Sequence, residues 1–143
     1  MESHMLSARE LLDHLHSPAG RDYLADDVEW SLPVSLPTGI GGVHKGRPAV
    51  VAMLEAVTTQ FYDPATISLF VTAAFGTEEF ATQIFTVNAK SQWGQTYSNQ
   101  YSITIQAANG KIARVYELCD TKHLYDTMDV DRAQNPASRL EKE

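Results

Sequence analysis

The sequence predicts an α+β fold, a curved antiparallel sheet wrapped around helices from the N-terminal half. Two observations carry the prediction: helical periodicity comes first, and four successive strand patterns follow it, the last two joined by an Asn109-Gly110 hairpin turn. With 143 residues, 43% of them hydrophobic, the chain can build one core but not two, so a single domain is expected over residues 6–128. A concave sheet closed against helices at one end leaves room for a pocket.

Residues 1–5 read as a cloning remnant and stand outside the fold argument. Ser7, with Glu10 three positions on, forms a capping box. Leu11, Leu12 and Leu15 then give an amphipathic helix of about ten residues that Pro18 and Gly20 end. Val28, Glu29, Trp30, Ser31 and Leu32 alternate with period two until Pro33, the pattern of a short half-buried strand. Three prolines and four glycines make residues 33–48 an irregular loop, long enough for a lid or a pocket rim. From Pro48, the residues Val50, Val51, Leu54, Val57, Thr58 and Phe61 recur at helical spacing up to Asp63-Pro64. Strands are expected at 66–74, 79–89, 95–107 and 111–120, and a final helical turn at 121–128. Residues 129–143 are polar, carry Pro136 and lack an apolar stripe, so a mobile or surface-draped tail is expected.

Charge and composition remove several functions. Eleven Lys and Arg against eighteen Asp and Glu leave a formal charge of −7, so the basic footprint of a nucleic-acid or anionic-lipid binder is absent. The longest apolar runs, 49–56 and 67–75, fall short of the ~20 residues a membrane span needs, and a soluble, cytoplasmic protein is expected. The lone Cys119 offers no internal disulfide and lacks a local activating partner. His14 and His16 would point about 200° apart on a helix, so they form no ligand pair and no metal is expected. Gly39-Ile40-Gly41-Gly42 does not open a helix after a strand, and no nucleophile elbow occurs, so no cofactor is expected either.

The hairpin sets faces. With Ala108 opposite Lys111, Ser102 pairs with Glu117, Tyr101 with Leu118 and Gln100 with Cys119. One face then carries Tyr97, Tyr101, Ile103, Ile105, Tyr116 and Leu118, and the other Ser98, Gln100, Ser102, Thr104, Val115, Glu117 and Cys119. Either the aromatic face is the core and the Ser/Gln/Thr face is wet, or the polar face lines a pocket and the apolar one meets a partner. A β-bulge would exchange these assignments.

The order of the first helix, the run from Tyr23 to Trp30, the Pro/Gly loop, His44-Lys45-Gly46-Arg47, the helix to Phe61, and strands ending in Asn109-Gly110-Lys111-Ile112 and Glu117-Leu118-Cys119-Asp120-Thr121 resembles the SnoaL-like and ketosteroid-isomerase-like branch of the NTF2-like superfamily. The resemblance covers most of residues 6–128 and implies a cone-shaped α+β barrel with a deep apolar pocket, commonly dimeric through the outer sheet face. The isomerase base position matches Leu32, before Pro33, and the oxyanion-binding acid position matches Ser102, so that constellation is incomplete. Of the limonene-type epoxide hydrolase triad only Glu117 has a counterpart, since residues 80–88 hold no Arg or Asp. A SnoaL-like pocket carboxylate working as acid and base is the closest chemical match.

The expected catalytic residues are Glu117, whose burial would raise its pKa toward neutrality, Asp120 at the strand end, and His44 as a loop proton shuttle. Asp120 also suits a cap for the following turn. Trp30, Leu32, Tyr62, Gln100, Ser102, Val115 and Cys119 are expected to line a substrate pocket. The expected function is acid/base chemistry of isomerase, cyclase or hydrolase type on an apolar cyclic or polyketide-like substrate, without a cofactor. The alternative is a non-catalytic module that binds a small ligand or dimerises.

Overall fold

The computed structural model describes residues 5–135. Of the expected remnant only Met5 lies among them, and residues 136–143 of the expected tail lie outside them.

Helix α1 (Ala8–Leu12) starts at the predicted capping box: Glu10 N–H donates to Ser7 Oγ at 3.1 Å and Ser7 N–H donates to Glu10 Oε1 at 3.2 Å. It is half the expected length, and the chain continues through turns into a 3-10 helix at Pro18–Tyr23. Long-range bonds tie its start, with the Ala8 and Arg9 N–H groups donating to the carbonyls of Glu78 and Thr77. Ala8, Leu11 and Leu12 are thereby driven into the core.

Strand β1 (Leu24–Leu32) is longer than the predicted run and pairs on both sides. One neighbour is β2 (Gly42–Lys45), which lies inside the stretch read from the sequence as irregular loop. Four residues are too few to display an alternation, and β2 exists because β1 offers it an edge. Helix α2 (Arg47–Gln60) follows Gly46, whose φ of 88° favours glycine at the cap, and buries Val50 and Met53.

The second half is a meander of β3 (Ser68–Gly76), β4 (Phe80–Lys90), β5 (Thr96–Ala108) and β6 (Lys111–Cys119), as predicted to within about two residues at most ends. Strand order is β2-β1-β6-β5-β4-β3, so β2 and β3 are the edges and the sheet stays open. Four of the five pairings are antiparallel; β1 runs parallel to β6. The expected antiparallel sheet is therefore mixed at one place, allowed because the whole intervening chain serves as the crossover. Helix α3 (Thr121–Thr127) is capped by Asp120, and α4 (Val130–Gln134), capped by Asp129, buries Ala133 in what was expected to be a mobile or surface-draped tail.

The β5–β6 hairpin decides the site. Asn109 and Gly110 have φ of 53° and 73°, the positive values a two-residue primed turn requires, and Ala108 pairs with Lys111 as predicted. The register then slips: Ala107 pairs with Ile112 but Gln106 with Arg114, leaving Ala113 as an extra residue. Beyond that bulge Glu117 faces Ile103 and Cys119 faces Tyr101, correcting the predicted pairs with Ser102 and Gln100. The inner face thus combines Tyr97, Tyr101, Ile103 and Ile105 with Val115, Glu117 and Cys119. Tyr116 and Leu118 turn outward, 46% and 62% exposed. Neither uniform assignment of faces holds; each is right for one strand.

Candidate functional site

Between the inner face, α2 and the 33–41 loop lies a cavity of about 130 Å³. Its wall is apolar, with Leu32 from β1, Leu36, Pro37 and Ile40 from the loop, Met53, Leu54 and Val57 from α2, and Leu124 from α3. The loop is held by the C-terminal helices: Tyr125 Oη donates to the Ser35 carbonyl at 2.7 Å and Gln134 Nε2 to the Thr38 carbonyl at 2.8 Å. Five lining side chains carry polar atoms: Glu117, Cys119, Tyr62, Tyr101 and Thr58, the last with its Oγ1 donating to the Leu54 carbonyl at 3.1 Å.

Glu117 reaches the cavity because the Ala113 bulge turns that part of β6 inward. Trp30 Nε1 donates to its Oε1 at 3.1 Å, and among the described residues no ion pair involves it. Burial pushes the Glu117 carboxyl up to about 7, with the Trp30 donation acting weakly in the opposite sense. Burial, with Glu117 and Asp120 adding negative charge, pushes the Cys119 thiol up to about 11, so it stays protonated and is a poor nucleophile.

Opposite polarity comes from phenols. Tyr62 Oη lies 3.3 Å from Tyr101 Oη, which lies 2.7 Å from Tyr97 Oη. Asn99 Nδ2 donates to Tyr97 Oη at 2.8 Å. Burial raises the pKa of all three tyrosines, so they remain hydroxyl donors across the working pH range.

Of the predicted residues, the structure brings Glu117, Leu32, Tyr62 and Cys119 together at the cavity. Trp30 is 4% exposed and stands behind Glu117 as its hydrogen-bond donor; Val115 is fully buried core. Asp120 is a correction: it is exposed at the end of β6 and its Oδ1 accepts the His123 N–H at 2.9 Å, the capping role. His44 is another: it pairs with Trp30 across β1–β2, its Nε2 is held 2.7 Å from the Ile40 carbonyl, and it does not line the cavity. Gln100 and Ser102 are corrected as well, because they lie on the outer face, where Ser102 sits between Ile84 and Leu118. Tyr101, Tyr97 and Asn99 were missed; their period-two spacing was visible, but the expected pocket was built on the opposite face of β5, with Gln100 and Ser102, so these side chains were left to core or to a partner. Among the described residues no group of three or more His, Cys, Asp or Glu is placed to hold a metal ion.

A six-stranded open sheet packed on helices around an apolar cavity, with one carboxyl among the described lining residues, defines a small pocket-bearing α+β protein. More particularly, the chain has the NTF2-like fold. An NTF2-like protein from Burkholderia thailandensis superposes with a TM-score of 0.72 at 15% identity, covering 86% of this chain and 98% of its own. A candidate SnoaL-like polyketide cyclase from Jannaschia sp. CCS1 gives 0.72 at 9% identity, over 90% and 96%. A candidate isomerase from Rhodopseudomonas palustris gives 0.67 at 14% identity, over 85% and 89%. No protein-family model matches the sequence, and no curated protein is significantly similar to it. No described helix is long and apolar enough to cross a membrane.

Proposed function

We propose that this protein is an acid/base enzyme of isomerase or cyclase type, acting on an apolar, oxygenated cyclic substrate with Glu117 as the proton-transfer group. One observation carries the reading: a single carboxyl, poised near pH 7 by burial, faces an apolar cavity. A general base works best when its pKa lies near the operating pH, because it is then both substantially ionised and basic enough to take the proton. Trp30 fixes Oε1, leaving Oε2 as the oxygen available to a substrate. The apolar wall selects by shape and excludes water, which strengthens every polar contact inside. Likeness in fold to a candidate cyclase and a candidate isomerase agrees with this reaction class but does not select a substrate.

The test is a panel of cyclic ketones and epoxides assayed with wild type and Glu117→Gln. Turnover by wild type, lost in the variant while the circular-dichroism spectrum is unchanged, is the expected result. Retained turnover in Glu117→Gln overturns the assignment. The second reading, a non-catalytic ligand-binding module, is favoured by the absence of a second carboxyl among the described residues that line the cavity, and predicts ligand binding without turnover by any form.

We also propose that a second copy covers the outer sheet face. Phe70, Phe75, Ile84, Tyr116 and Leu118 are exposed there, an apolar surface of the kind that a two-fold dimer buries.

A further inference from the structure

We propose that the cavity is a binding site for a small organic cation, a primary ammonium carried on a single apolar ring, whose N–H groups donate to the free oxygen of Glu117. The inference rests on the cavity being a ligand site and not on Glu117 moving a proton in turnover.

Charge in the cavity has one sign. Among the described lining residues Glu117 is the one able to carry a full charge at neutral pH, and no Lys, Arg or His shares the wall. The other titratable groups there are the Tyr62 and Tyr101 phenols and the Cys119 thiol, which burial keeps protonated and neutral. Glu117 lies deep in the protein but is not sealed: it keeps some accessible surface and lines the cavity. Its Oε1 accepts from Trp30 Nε1 at 3.1 Å. An ionised carboxylate has about four acceptor sites, so one bond from a neutral indole leaves most of that capacity unused. The negative charge is thus withdrawn from water with no counter-ion beside it, a costly arrangement. A cation seated against Oε2 supplies the counter-charge together with charge-assisted hydrogen bonds, which are roughly twice as strong as neutral ones. A lone carboxyl is too few ligands for a calcium or magnesium ion, whereas an ammonium needs a single counter-charge and a few acceptors.

The wall fixes the remainder of the ligand. Leu32, Leu36, Ile40, Met53, Leu54 and Leu124 call for an apolar body. The volume of about 130 Å³ is close to the ~150 Å³ of an apolar protein cavity that takes up benzene, so one six-membered ring with a short aminomethyl arm fits and two fused rings do not. The net charge of −7 also favours the approach of a cation over that of an anion.

The test compares benzylamine, a cation at pH 6 and pH 8, with benzyl alcohol, a neutral molecule of the same size, by titration calorimetry. At pH 8, where Glu117 is mostly ionised, wild type is expected to bind benzylamine about tenfold or more tightly than benzyl alcohol. In Glu117→Gln that preference is expected to vanish. At pH 6 the free carboxyl holds a proton, and the ammonium expels it because an adjacent positive charge favours the ionised form. Titrations in two buffers of different ionisation enthalpy should then show close to one proton released per benzylamine bound. 1-Naphthylmethylamine is expected to bind wild type about tenfold more weakly than benzylamine. Any of five results overturns the proposal: benzyl alcohol bound as tightly as benzylamine, a preference that survives in Glu117→Gln, no proton release at pH 6, equal affinity for the naphthyl amine, or no binding of benzylamine at millimolar concentration. The comparison of amine with alcohol needs wild type alone, so it decides the matter even if the variant does not fold. No arm reads turnover, so failure here leaves the catalytic reading standing, and retained turnover in Glu117→Gln leaves the ammonium site standing.

Discussion

Replacing Glu117 by Gln should stabilise the protein at neutral and alkaline pH, and the size of the gain follows from the site. Burial raises the folded-state pKa from an ordinary 4.5 to about 7. Between those values the native state holds a proton that the unfolded chain has released, so stability falls as pH rises through the interval and levels off above it. At 1.36 kcal/mol per pKa unit the ionised carboxylate costs the native state about 3 kcal/mol by pH 8. Gln carries no charge and its carbonyl oxygen can still accept from Trp30 Nε1, which now reaches Glu117 Oε1 at 3.1 Å. Wild type and Glu117→Gln should therefore be nearly equally stable at pH 4, with the variant ahead by about 3 kcal/mol at pH 8, a Tm difference of roughly 6–12 °C. Urea unfolding of both proteins at half-unit steps from pH 4 to 9 measures the difference directly. All other titrating groups are common to the two proteins and cancel. Two curves that stay parallel across the whole interval would refute the claim that the Glu117 carboxylate is strained by burial, and with it the physical basis of its proposed reactivity.

Further outcomes follow from other contacts. Trp30→Phe removes the donor to Glu117 Oε1 and should raise the Glu117 pKa further, read from the acidic limb of a pH–rate profile or by carboxyl NMR; an unchanged or lowered value would refute the role of that bond. Ser7→Ala removes the hydroxyl that accepts from Glu10 N–H, leaving the backbone arm of the capping box, and should cost about 1 kcal/mol in urea unfolding, without altering ligand binding. Leu118→Arg places a charge on the exposed outer face and should convert a dimer to a monomer in light scattering; an unchanged mass above that of the monomer would move the interface elsewhere.

Local signals were read most accurately where one short stretch determines its own geometry. The Ser7–Glu10 box, the Asn109-Gly110 turn and the helical repeat of α2 need only neighbours in sequence, and each appears where predicted. Glu117 was legible as the one carboxylate flanked by apolar residues on its strand face, Val115 and Cys119. Strand β2 was not legible, since its four residues gain their hydrogen bonds only from β1. Asp120 and His44 are polar groups whose partners, the His123 amide and the Ile40 carbonyl, lie nearby in sequence, yet only their placement in space shows that those partners occupy them.

The amino-acid sequence by itself determined the α+β class, helix α2, the Ser7–Glu10 cap and the Asn109-Gly110 turn, and singled out Glu117 as a candidate, because these depend on periodicity and on residues a few positions apart. Tertiary structure alone decided what surrounds that carboxylate. Side chains alternate along a strand, so one extra residue at Ala113 exchanges the two faces of β6 and leaves β5 unchanged. That single residue sets Glu117 beside Tyr101 instead of Gln100 and Ser102, and turns Tyr116 and Leu118 out to the sheet's outer face. The bulge is defined by which residue of β6 pairs with which residue of β5, a long-range relation that no short window of sequence contains.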